Sequence, residues 1–161
     1  MKGLSRIVAA TAVLGAAGCT NLIGGSLGQT FTTESFLNSE IGGADLNGEI
    51  ARAYQGLAAT NASSDVNWLD ATVYQQKAAS WAGGNPVPLF QPADYGVNGE
   101  LEALRGEAMA AVQEHGDERP GACAEAYVMY DRLVEAAYQS PGLDFEAIRA
   151  QYDAAYNECV G

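Results

Sequence analysis

From Leu46 onward, apolar positions recur every three to four residues. In "LNGEIARAYQGLAATNA" the residues Ile50, Tyr54, Leu57, Ala58 and Asn61 share one face, which predicts an amphipathic helix ending near "NASSD". "VNWLDATVYQQKAASWAGG" predicts a second helix, with Asp65 as its N-cap, Ala71, Tyr74, Ala78 and Trp81 facing inward, and Gly83 and Gly84 as its stop. "NPVPLFQPADYGVNG" holds three of the five prolines and predicts an extended crossing loop, because proline fixes φ and removes an amide donor. A third helix is expected from about Gly99 to Glu114, burying Leu101, Leu104, Ala108, Ala111 and Val112. A fourth begins near Ala122, buries Ala126, Tyr130, Leu133 and Ala137, and ends at "QSPG", where Pro141 forbids continuation. Asp144 caps a fifth, "FEAIRAQYDAAYNECV", whose Phe145, Ile148, Tyr152, Ala155 and Cys159 form a single stripe.

The fold class that follows is mostly α: a small bundle of about five helices over residues 46–161, with a C-terminal antiparallel hairpin. The hairpin carries a specific expectation. With the turn at about Pro141, Cys123 lies 141 − 123 = 18 residues before it and Cys159 lies 159 − 141 = 18 after it. Residues equidistant from the turn of an antiparallel pair lie at the same height, so the two thiols meet at the open end, roughly 25 Å from the turn. A disulfide is the expected outcome; two free buried cysteines or a zinc pair are the alternatives.

The first 45 residues are patterned differently. Lys2 and Arg6 precede an uncharged apolar run from Ile7 to Gly15, and the small residues Ala16, Ala17 and Gly18 lead to Cys19. Basic, apolar and small, in that order, are the parts of a secretory signal over residues 1–18, and the run is shorter than the roughly 20 residues that span a bilayer. "LGAAGC" resembles a bacterial lipobox, whose cysteine is diacylated and becomes the mature N-terminus; plain secretion and an uncleaved anchor are the alternatives. Ala16 stands where the lipobox favours leucine. Thr20 stands where aspartate would resemble an inner-membrane retention signal, so the resemblance points to the outer membrane, periplasmic side. Residues 19–45, rich in Gly, Ser, Thr and Asn, then read as a lipidated N-terminus and a tether.

Charge sharpens this picture. The chain has 161 residues, which leaves room for one domain, with 20 acidic and 8 basic side chains, net −12; removing Lys2 and Arg6 leaves 6 basic and a net charge of −14. Such a surface repels nucleic acid and anionic headgroups, so membrane attachment would come from acyl chains. Three cysteines leave one odd thiol in an exported protein, and lipidation of Cys19 removes the oddity, leaving Cys123 and Cys159 as a pair in an oxidising compartment.

Motifs with chemical content are few. "GGSLG" at 24–28 has the spacing of a nucleophile elbow at Ser26, without the strand, helix and histidine which that motif requires. His115, the single histidine, ends a helix beside Gly116, where an imidazole suits the terminal carbonyls. "DLNGE" and "DVNWLD" lack the glycine and glutamate of a calcium loop and suit helix capping. Glu146 and Asp153 flank Arg149 at three and four residues, as on a solvated helix face. No catalytic set, metal site or cofactor is expected. Trp68, Tyr74 and Trp81, with Tyr54, are first of all candidate core packed on small alanines, and secondly the candidate lining of a partner-binding groove.

The segments "AYQGLA", "WLDATVYQQKAASWAGGNPVPLFQPADY", "ELEALRGEAMAAV", "ERPGACAEAYVMYDRLVEAAYQ" and "AIRAQYDAAYNEC", over about residues 48–159, resemble the helical N-terminal region of alphaproteobacterial envelope lipoproteins. In that group a W-x-x-A helix with a K-A-x-x-A-x-x-G ending precedes a V-x-P loop and two further helices. In several members an outer-membrane-protein-A-like peptidoglycan-binding domain follows. The present sequence stops at Gly161 without it, which puts direct peptidoglycan binding in doubt. The first helical pair also resembles a degenerate tetratricopeptide unit, through Tyr54, Leu57, Ala71 and Ala78. The resemblance implies a non-catalytic structural or adaptor lipoprotein that binds another envelope protein; a small periplasmic hydrolase or hydrolase inhibitor is the alternative.

Overall fold

The chain's alternation of apolar and polar residues is realised from Leu46 onward as five α-helices and one 3-10 turn, with residues 35–37 also helical, among the residues described by the computed structural model, which are 35–97, 99–139 and 142–161. The signal-like peptide, Cys19 and Ser26 lie outside them. Helix α1 spans Leu46–Ser63, with the Asp45 carboxylate accepting from the Gly48 N–H at 2.9 Å. All five residues of its predicted face are buried.

Helix α2, Trp68–Ala82, departs from expectation at its start. Asn67, not Asp65, is the N-cap, its side chain accepting from the Asp70 N–H. The Asp65 carboxylate is instead held by the Arg132 guanidinium at 2.5 Å. A charged partner outcompetes a cap amide. Ala71, Tyr74, Ala78 and Trp81 are buried as the spacing requires.

After Gly83 and Gly84 the chain runs extended past buried Leu89 to a 3-10 turn at Pro92–Tyr95, which Gly96 ends in the left-handed region at φ 68°. Helix α3 follows at Gly99–His115, and helix α4 at Pro120–Tyr138. The start of α4 falls before Ala122 because Pro120, lacking an amide hydrogen, suits a first turn. Helix α5, Phe145–Val160, is capped by Asp144, which accepts from the Ala147 N–H at 3.1 Å. Val112, Ala137 and Phe145 are only partly buried.

Helix α4 is the centre of the bundle, packing against α1, α3, α5 and the 3-10 turn, while α1 also pairs with α2. Its residues 126–136 are buried on every side, charged ones included. A helix enclosed by neighbours has no solvated stripe. The Sγ atoms of Cys123 and Cys159 are bonded, joining the first turn of α4 to the last turn of α5 with the Cα atoms 4.6 Å apart. The bridge is buried among Ala111, Ala126 and Ala155.

Residues 35–45, expected as tether, are folded onto α1. Phe36, Leu37 and Ile41 pack against the core. Arg52 donates to the carbonyls of Ile41 at 3.1 Å and Gly43 at 2.5 Å, and Gln55 donates to those of Phe36 at 2.9 Å and Ser39 at 2.8 Å. Gly48 permits the approach: a Cβ there would stand 2.6 Å from the Gly43 carbonyl oxygen. The composition reads as linker because this strap is held through its backbone carbonyls, which no side-chain pattern reports. Among the described residues no helix is long and apolar enough to cross a membrane.

Candidate functional site

The densest chemistry in the molecule is a buried polar cluster where α1, α2, α4 and the crossing loop meet. Asp131, fully buried on α4, is its hub. One carboxylate oxygen, Oδ2, accepts from the Tyr54 hydroxyl at 2.6 Å and from Lys77 Nζ at 2.6 Å. The other, Oδ1, accepts from the Phe90 backbone N–H at 2.7 Å. A buried carboxylate with three donors, one of them cationic, is compensated for its loss of water.

Lys77 is satisfied in turn. It sits on the inward face of α2, donates to the Pro88 carbonyl at 2.8 Å, and lies 4.0 Å from the centroid of the Phe90 ring. The crossing loop is thus held to the bundle by two of its own backbone groups, the Pro88 carbonyl and the Phe90 amide, which bind the two members of one ion pair.

One turn further along α4, Glu135 forms the second half of the cluster. Its Oε2 accepts from Arg132 at 2.8 Å and from the Tyr74 hydroxyl at 2.8 Å. With its amide oriented to suit its neighbours, Asn61 donates to Glu135 Oε1 and accepts from Arg132, both at 2.9 Å. Gln139 donates to Glu135 at 3.4 Å and also bonds Asp70, which Asn67 bonds as well. Arg132 bridges Glu135 to Asp65, so the turn between α1 and α2 is pinned to α4.

The electrostatics follow from enclosure. Burial pushes the Glu135 carboxyl up, opposed by the Arg132 charge and the Tyr74 hydrogen bond. Burial, then the Asp131 charge, holds the Tyr54 phenol well above the usual tyrosine range; burial, then Glu135, does the same for Tyr74. Each phenol is thereby kept as a donor.

The four residues proposed from sequence to line a groove are not gathered on a surface. Tyr54 and Tyr74 stack in the interior with ring centroids 6.1 Å apart, and Trp81 meets the edge of Tyr127 at 5.6 Å. These three are core. Trp68 stands apart from them, 40% exposed. His115 lies 3.9 Å from Glu114 at the bundle surface. Arg149 binds Asp153 at 2.9 Å but takes Glu100 of α3, at 2.6 Å, as its other partner instead of Glu146. Sequence reasoning passed over Lys77, Asp131, Arg132 and Glu135. The available signal was that Lys77 lies three residues after Tyr74 within an apolar stripe, and that Asp131 and Glu135 repeat at four residues beside inward Tyr130 and Leu133.

Chemically this arrangement fastens elements together. Both oxygens of Asp131 and both of Glu135 are occupied by protein donors. The hollow over Glu135, between Tyr74, Phe90, Tyr95 and Tyr138, encloses no more than about 280 Å³, below the usual size of small-molecule sites. Among the described residues no group of three or more His, Cys, Asp or Glu is placed to hold a metal ion. No protein-family model matches the sequence, and no curated protein or solved structure matches it either.

Proposed function

We propose that this chain is a lipoprotein of the outer membrane, held to its periplasmic face by an acylated Cys19, with a non-catalytic structural or adaptor role toward another envelope protein. The observation that carries the address is the order of basic, apolar and small residues ending in "LGAAGC". A structural role is supported by the interior charges, which bind one another across helices. In this reading the last two helices act as an antiparallel hairpin clasped at its open end by Cys123 and Cys159, a bond that persists in an oxidising compartment. A body fastened by a buried disulfide and a polar cluster is a rigid platform for a partner.

Intact-mass analysis of the protein recovered from envelopes tests the address: the expected product begins at Cys19 and carries acyl mass. A product that begins elsewhere, or begins at Cys19 without acyl mass, ends the lipoprotein reading. Cross-linking in intact cells tests the role, with a stoichiometric complex with one envelope protein as the expected product and an exclusively uncomplexed chain as the contrary result.

A further inference from the structure

We infer that the end of the bundle formed by the α1–α2 turn seats on a lipid bilayer of neutral headgroups, with Val66, Trp68 and Leu69 entering the interface; this rests on the lipid anchor proposed above. The first observation is conformational. Val66 is the one non-glycine residue with positive φ among the described residues, at 53°, a region costly for a β-branched side chain. Its flanks hold it there: Asp65 is bound by Arg132, and the Asn67 N–H donates to the Asn61 carbonyl at 2.8 Å. The strain presents an apolar side chain that is 71% exposed.

The second observation is composition. Trp68 and Leu69 are exposed on the first turn of α2, and Tyr138 is exposed at the end of α4, which the Gln139–Asp70 bond ties to the same end of the bundle. Trp and Tyr are the side chains that favour the headgroup level of a bilayer. The acidic groups beside them are bound within the protein, Asp65 by Arg132 and Asp70 by Asn67 and Gln139, and Asp70 is buried. A mature chain of net charge −14 would be repelled by anionic lipid, which selects neutral headgroups.

The third is reach. The strap returns the chain along α1, where Gln55 holds the Phe36 carbonyl, eight residues or about 12 Å of helix from Ser63. Cys19 precedes Ser35 by 16 residues, which can span at most about 55 Å. An acyl anchor at Cys19 therefore allows this end to touch the bilayer.

The test uses the mature, lipidated chain in phosphatidylcholine and phosphatidylethanolamine vesicles, with and without brominated phosphatidylcholine. Trp68 and Trp81 are the two tryptophans, and Trp81 is buried. Bromine is expected to remove part of the emission of the wild type and none from Trp68→Phe, and Leu69→Asn to weaken the quenching with the circular dichroism unchanged. Flotation reports the anchor separately. Flotation without quenching overturns the seat and leaves the anchor standing, and failure to float overturns both. Trp68 shielded from bromine and from aqueous iodide, with cross-links between copies, would make a second copy the occupant and overturn the bilayer seat.

Discussion

Tyr54 and Asp131 lie 77 positions apart in the chain, yet the phenol of the first donates to the carboxylate of the second at 2.6 Å inside the bundle. Lys77 completes the trio from α2. The pairing joins α1, α2 and α4 at one oxygen atom, while the other oxygen holds the crossing loop.

Removing Asp131 strands a buried ammonium, a phenol and an amide. Asp131→Ala is expected to lower stability by about 3–5 kcal/mol in urea denaturation. Lys77→Met should cost less in the Asp131→Ala background than in the wild type, with a coupling of about 1–3 kcal/mol. Additive losses would show that the two residues do not stabilise as a pair.

Alkaline pH attacks the interior. Tyr54, Tyr74, Tyr127, Tyr130 and Tyr152 all have folded values raised by burial above the usual tyrosine value of about 10. Between the unfolded and folded values the folded chain binds more protons, so stability falls as pH rises through that window. These phenols contribute stability that is fully present below about pH 10 and is lost above it. Phenolate absorbance and far-ultraviolet circular dichroism should therefore change together in one transition. Phenolate appearing with the helices intact would contradict their enclosure.

The Cys123–Cys159 bridge closes a loop across 36 positions. Replacing both cysteines with alanine should lower stability by about 3–4 kcal/mol on the chain-entropy model. Because both sulfurs are buried, reductant without denaturant should act slowly on the wild type. Rapid reduction of the native protein, followed by thiol labelling, would count against a buried bond.

Gly48 lets the strap approach α1. A Cβ at this position meets the Gly43 carbonyl carbon at 2.8 Å and its oxygen at 2.6 Å, both backbone atoms that cannot rotate away. Gly48→Ala should therefore cost about 1–3 kcal/mol and make residues 35–45 an early site of limited proteolysis. Gly56→Ala, where a Cβ meets nothing, serves as the control and should be neutral or slightly stabilising.

Periodicity is a reliable guide where burial is one-sided. The faces of α1 and α2, the stop at Gly83 and the caps at Asp45 and Asp144 are legible because each is decided within a turn or two of helix. The Cys123–Cys159 pair expected from the sequence is formed. Helix α4 is less legible, since a stripe of Ala126, Tyr130 and Leu133 describes one wall of a helix whose residues 126–136 are buried on every side.

Local pattern is enough for the helical elements and their main apolar faces, which are set by contacts close along the chain. Packing across the bundle puts Lys77, Asp131, Arg132 and Glu135 inside, pairs Asp65 with Arg132 instead of leaving it to cap α2, and folds residues 35–45 onto the body. A charged side chain reads as solvated until its partner is found: Lys77 meets Asp131 across 54 positions and Arg132 meets Asp65 across 67, while the Arg132–Glu135 pair, three positions apart, looks like any surface ion pair until α4 is enclosed.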